Sequence, residues 1–408
     1  MRFPKYSFFN QGSLFGWRCV SKTTHLREKW LMAALISITC FHCVLNNVPL
    51  STELTRWEID EAEASILFVG APRRARDTGG RKIGIITVID ASTTKGALKY
   101  AMTTVACYAK VQRYEYRIVN ESLYYEKCTQ TKPEFRRHCI VGLLLPNYDY
   151  ILFVDAHIGV VNPKRRIEEF IDDRADIVLY DQFRTPELMS GSYLIRNSTW
   201  AYKFLDEWAS YEKRLPQSFY ASESAALYFL LAGLIAPDRS MEIAVCRRVW
   251  KKCRNWSYAH VVMSCLRNII GETIYYGNVK ILMKGTAWAR DSFVTDGTWS
   301  LPRDFMLHGV KSKLRLSAKT PENMLTSESD STYSWYSKFA GEIELRRCYP
   351  GNTTWRYKRA YFIDDAKLEE RYRRLHRKIY YEKLLSLERV AGQMPKRSKR
   401  KPTCSWKT

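Results

Sequence analysis

The chain has 408 residues, 46% of them hydrophobic and 26% charged, so it is too long for a peptide module and too apolar to be mainly disordered. Its 65 Lys and Arg against 42 Asp and Glu give a net charge of +23, which bears on partners and surfaces and not on fold. Residues 355–408 carry 17 basic and six acidic residues, about half of that excess, and no finger, helix-turn-helix or RNA-binding signature accompanies them, so no nucleic acid is expected as a partner.

The first element in chain order is an apolar run, residues 30–45 (WLMAALISITCFHCVL), which extends to Leu50. That length can cross a bilayer, which takes roughly 17 to 25 residues. Arg18, Lys22, Arg27 and Lys29 precede it, while Glu53, Glu58, Asp60, Glu61 and Glu63 follow it. The positive-inside rule then puts the amino terminus in the cytosol. The pattern predicts a cytosolic tail over 1–29, an uncleaved type II signal anchor over 30–50 and a stem over 51–80; the other reading of the run is a buried core helix. Four N-glycosylation sequons, at Asn120, Asn197, Asn255 and Asn352, all follow the anchor. Eight of the eleven cysteines also lie beyond it, a usage compatible with an oxidising lumen. Spacing does not fix their connectivity; Cys246 and Cys253 could close a small loop, or leave an unpaired buried thiol.

At Lys82 the pattern changes. KIGIITVID reads as a strand buried on both faces, followed by a helix over 95–111, a strand over 116–119, a helix over 132–145 and a second apolar strand, YILFVDA, over 150–156. Strands over 176–180 and 192–195 and helices over 200–211 and 222–231 continue the alternation. This predicts an α/β domain over 81–320 with a mainly parallel sheet flanked by helices, which binds ligands beyond the carboxyl ends of its strands. The first strand is followed by ASTTKG and not by GxGxxG, and there is no Walker loop, so neither NAD nor P-loop chemistry is supported.

The most informative segment is ILFVDAHIGVVNP, residues 151–163. Residues i and i+2 share a face in extended structure, so Asp155 and His157 can converge on one cation. A carboxylate oxygen and an imidazole nitrogen are both acceptable to a divalent ion of the manganese type. The plainer reading is a strand-end Asp that caps the following turn beside a surface His.

FVDAHIGVVNP resembles the metal-binding DxD segment of the GT-A glycosyltransferases. SGSYLIRNSTWAYKFLDEW, residues 190–208, resembles the stretch that follows it in the xyloglucan xylosyltransferase and galactomannan galactosyltransferase family. Residues 82–317 as a block are similar to a nematode-expanded family of uncharacterised, glycosyltransferase-like type II membrane proteins. The resemblance implies a GT-A, Rossmann-like fold and a retaining transferase that moves a sugar from a nucleotide-diphosphate donor to a glycan or glycoprotein acceptor, with Mn2+ or another divalent cation, in the Golgi or ER lumen. His308-Gly309-Val310-Lys311 is similar to the HxGxxK-type closing segment, which implies His308 as a third metal ligand and Gly309 and Lys311 at the diphosphate. Thr87 and Asp90 fall where such folds hold the nucleotide. Glu223 falls where the relatives commonly carry an Asp, which implies a catalytic carboxylate near the sugar; a first-turn acid that favours a helix amino terminus is the structural alternative.

Two positions depart from the pattern. His157 stands where the second Asp of DxD is expected, and Glu223-Ser224-Ala225 stands in place of D-N-G. Losing one carboxylate should weaken magnesium more than manganese. A catalytically degenerate lumenal binding protein on the same fold is the alternative function. Over 321–408 the sequence predicts a linker at 327–336, a basic amphipathic helix over 364–390 and a tail. That helix could pack back on the domain or dock against anionic phospholipid or an acidic partner.

Overall fold

The computed structural model describes residues 56–58, 80–89, 95–183, 185–309, 339–340 and 343–392. The expected anchor, nearly all of the stem, the 327–336 linker and the tail lie outside the described residues, as do Asp90 and Lys311. Among the described residues no helix is long and apolar enough to cross a membrane.

The chain begins with β1 (Arg56–Glu58), β2 (Ile83–Ile89), α1 (Lys95–Gln112), β3 (Glu115–Asn120), α2 (Pro133–Leu144) and β4 (Tyr150–Val154). Then come β5 (Ile158–Val160), β6 (Ile177–Tyr180), β7 (Ser192–Arg196), α3 (Thr199–Ser210), α4 (Glu223–Ile235), α5 (Ser240–Lys251) and α6 (Trp256–Ile270). Short strands β8 (Tyr275–Tyr276), β9 (Val279–Leu282), β10 (Ala289–Asp291), β11 (Met306–His308) and β12 (Arg356–Lys358) precede the long helix α7 (Asp365–Ala391). Local chemistry sets the helix starts. Pro133 opens α2, where its missing N–H costs nothing. Side chains of Ser198, Ser222, Asn255 and Asp364 cap α3, α4, α6 and α7 by accepting first-turn backbone N–H groups.

The central sheet has seven strands in the order β3-β2-β4-β7-β6-β9-β8. It is mixed, not mainly parallel: β3, β2 and β4 pair in parallel, as do β6 and β9, but β7 is antiparallel to both β4 and β6. The reason lies in the 181–191 connection. A parallel return needs a crossover of a dozen or more residues, and this loop carries no helix and doubles back through an Asp181–Leu188 bridge.

Period-two alternation decides which layer each strand residue meets. Ile151 and Phe153 of β4 join a core with α2 to α6, whereas Leu152 and Val154 join a second core with α1, β5 and β11. Helix α4 is apolar on every side and is buried from Ala225 through Ala232. On the other face a three-stranded sheet, β10-β11-β5, lies beside α1.

The described residues after 320 do not stand apart from the domain. Trp355, Tyr357 and Phe339 are buried in the second core, and the Tyr357 hydroxyl donates to the Val161 carbonyl, 2.5 Å away. β12 pairs with β1 from the expected stem, and residues 55–408 form one compact unit. A Cys107–Cys348 disulfide ties α1 to this segment, and Cys128–Cys139 and Cys246–Cys265 close shorter loops. The Cys246–Cys253 loop does not form: α5 and α6 pack antiparallel and bring Cys265 to Cys246, leaving Cys253 as a free, buried thiol.

Candidate functional site

In the sheet order, β2 is followed in sequence by β3 on one side and, after α2, by β4 on the other. The carboxyl ends of β2 and β4 therefore flank a topological switch point, where open α/β sheets bind ligands. Asp155 is the first residue past β4, and its backbone N–H is held by the Gly191 carbonyl at 2.9 Å. A Cβ on Gly191 would lie 3.2 Å from Asp155 Oδ2, so glycine keeps that carboxylate clear. His157 does converge on Asp155, with Nδ1 3.0 Å from Oδ1. The cause is not strand alternation. Residues 155–158 form a tight turn, closed by the Ile158 N–H donating to the Asp155 carbonyl at 2.9 Å.

His308 arrives from the end of β11, opposite Ile158 of β5 in the antiparallel register. Its ring centroid is 6.4 Å from that of His157. Asp291, its partner across β10, faces His308 Nδ1 at 2.9 Å through Oδ1 and leaves Nε2 for another partner, the arrangement usual behind a metal-bound or phosphate-facing imidazole. Gly309 follows at φ +61°, a left-handed turn, and its N–H donates to the His157 carbonyl at 3.1 Å. Thus the two histidine segments are stitched together by backbone.

Glu223 is the first residue of α4 and points to the same cluster. Arg137 of α2 bridges the two acids, with Nη1 3.3 Å from Asp155 Oδ2 and Nη2 2.5 Å from Glu223 Oε1. Ser190 Oγ donates to Glu223 Oε1 at 2.8 Å and also meets Ser224 Oγ at 2.8 Å. All three charged groups are mostly withdrawn from water: their side chains are 15% (Arg137), 25% (Asp155) and 13% (Glu223) exposed. Burial alone would raise the Asp155 carboxyl, but His157, Arg137 and His308 outweigh it and hold it well below the usual carboxylate range. Burial works downward on His157, and the Asp155 carboxylate reverses that, so the imidazole keeps its proton more firmly than usual.

The donors suit a manganese-type cation in kind: one carboxylate and two imidazoles converge, and a third acid orients one of the rings. Their arrangement is that of two hydrogen-bonded pairs. Among the described residues no group of three or more His, Cys, Asp or Glu side chains is placed to hold an ion.

Thr87 is buried; its hydroxyl donates to the Val154 carbonyl at 3.0 Å and accepts from Tyr116 at 3.1 Å, so it locks β2 to β4. The sequons lie at the surface: Asn120, Asn197 and Asn255 are exposed and Asn352 is half-buried. Arg137, Ser190 and Asp291 were not anticipated. Only Arg137 carried a signal, a cation inside an otherwise amphipathic helix immediately before the DxD-like strand.

A family described as "Protein of unknown function, DUF273" matches residues 105–327, more than half of the chain and the whole of the cluster from Arg137 to Gly309. No curated protein matches the chain. Among solved structures, the crystal structure of a glycosyltransferase involved in the glycosylation of the major capsid of PBCV-1 is similar at 13% identity and a TM-score of 0.37, covering 57% of this chain and 95% of that one.

Proposed function

The chain belongs to the DUF273 family, and we propose that it is a glycosyltransferase of GT-A type that moves a sugar from a nucleotide-diphosphate donor to a glycan or glycoprotein acceptor with retention. The observation that carries this reading is the convergence of Asp155, His157, His308 and Glu223 at the carboxyl end of β4, on the switch point of the sheet. In the reaction the bond from anomeric carbon to diphosphate oxygen breaks, an acceptor oxygen forms the new bond, and the acceptor proton leaves with the diphosphate. Negative charge grows on that leaving group, and the sugar carbon becomes cationic.

To be held by Asp155, His157 and His308, a divalent cation would have to displace the Asp155–His157 hydrogen bond; bound there, it would supply a Lewis acid to the diphosphate. The chain's own groups do the rest. His308, oriented by Asp291 through Nδ1, would offer that cation its Nε2, and the Gly309 turn lets backbone approach the donor phosphates. Lys311, which lies outside the described residues, would add a point charge to the same oxygens. Glu223, fixed by Arg137 and Ser190, lies where a carboxylate can steady the oxocarbenium-like carbon. Three disulfides and four surface sequons support a Golgi or ER lumenal setting.

One observation favours a second reading, a non-catalytic binding protein: Arg137 already neutralises both acids. Calorimetric titration of a nucleoside diphosphate with and without manganese tests the site itself. The transferase reading expects manganese to tighten binding at least tenfold and Asp155→Ala to abolish that gain. Equal binding with and without the ion, unchanged in Asp155→Ala, contradicts it.

A further inference from the structure

The body and α7 enclose a cleft of about 480 Å³ that the reaction above does not use. Phe183 and Tyr372 lie buried at its base, their ring centroids 4.1 Å apart. Phe183 also lines the small gap that reaches Asp291 and His308, so one aromatic side chain separates this cleft from the candidate catalytic cluster. The charge of the cleft is one-sided. Lys284, Arg303, Arg373, Arg377 and His376 line it against Glu369 and Glu370. Both acids are already engaged: Glu369 by Arg303 at 2.5 Å, and Glu370 by Arg374 at 2.7 Å. Lys284, Arg373 and Arg377 have no carboxylate of the described residues within ion-pair distance.

Lys284 is the unusual member. Its ammonium is held by the backbone carbonyls of Gln182 and Thr185, and a third N–H remains. Burial pulls it down, Asp181, Asp291 and Glu272 pull it back in part, Arg267 opposes them, and the result is about 8 in place of 10.5. Those carboxylates act from a distance and none is paired with the ammonium, so Lys284 lacks a close counter-charge that a ligand can supply.

We propose that this cleft is an acceptor subsite for an acidic saccharide, whose uronate or sulfate group is taken by Lys284, Arg373 and Arg377. Its role as an acceptor site rests on the transferase reading; the anion site does not. Arg373 and Arg377 are exposed on successive turns of α7, four residues apart, so they face the same ligand and can be removed without disturbing a core.

The test is equilibrium binding by the full chain in detergent of a tetrasaccharide with alternating glucuronate residues, against the same tetrasaccharide with its carboxyls reduced to alcohols. The acidic form is expected to bind at least tenfold more tightly, and the double variant Arg373→Ala/Arg377→Ala to lose that advantage with its helix content unchanged by circular dichroism. Equal binding of the two saccharides, or an unaltered preference in the double variant, overturns the proposal. Binding to vesicles containing phosphatidylserine without binding to the tetrasaccharide also overturns it, and gives the basic face to a membrane. Tetrasaccharide binding with no transfer from any donor leaves the anion site standing and removes the transferase reading; transfer without tetrasaccharide binding removes the subsite alone.

Discussion

Arg136, Arg137 and His138 are consecutive, and the fold sends them to three places. Arg136 pairs with Glu121 at 3.0 Å, Arg137 enters the candidate site, and His138 stacks on Trp208 at 3.6 Å in the core, where burial first and Arg137 second keep it neutral. A helix turns about 100° per residue, so these three neighbours span about 200° of arc, and the sequence shows a basic helix start without showing which cation is functional. Arg137→Met should leave Asp155 and Glu223 facing each other with no cation between them and cost roughly 3 kcal/mol. Adding Glu223→Gln should recover part of that loss, read as a partial return of the urea midpoint; a fully additive double variant would contradict the bridge. Lys284 gives the pH dependence. Its folded value of about 8 lies below the unfolded 10.5, so the unfolded chain binds more protons between those values and stability contributed here rises with pH across that window. Wild type should therefore gain on Lys284→Met in thermal melts from pH 8 to 10.5, and parallel curves would refute the buried ammonium.

Elements were legible where hydrophobic period is strong. The strands at β2, β4, β6 and β7 and the helices α1 to α4 and α7 lie within a few residues of where the sequence puts them. The reversal of β7 was not legible, because strand direction depends on how the 181–191 loop folds and not on any property of β7 itself. Helices α5 and α6 were missed for another reason: the CRRVWKKC run invites a loop reading, and only the Cys246–Cys265 link, made after the helices pack, reveals its partner. Asp155 and His157 lie together as a hydrogen-bonded pair, and a turn, not strand alternation, brings them there. At this scale the Cys107–Cys348 bond is the most consequential covalent feature, since it joins residues 241 apart in sequence and fixes the segment that leads into α7. Cys348→Ser should cost about 2–5 kcal/mol. Limited proteolysis should then cut within 343–392 before the central sheet opens; simultaneous loss of both would mean that the segment has no separate stability.

For the whole molecule the net charge of +23 acquires a location and a use. Part of it flanks the proposed anchor, and part of it sits on α7, which packs through Leu368, Tyr372, Ile379 and Val390 and leaves its arginines facing a cleft. In the proposed reaction few cations remain: Arg137 is engaged by the two acids, and the diphosphate would fall to His308, Lys311 and a divalent ion. That division makes Asp155 the residue on which the account turns. The most direct measurement is nucleoside diphosphate release from a panel of nucleotide sugars by the full chain with manganese, in wild type and Asp155→Ala. The account predicts that at least one donor is consumed and that Asp155→Ala lowers its turnover at least a hundredfold. Consumption of no donor, or turnover that Asp155→Ala leaves intact, would contradict it.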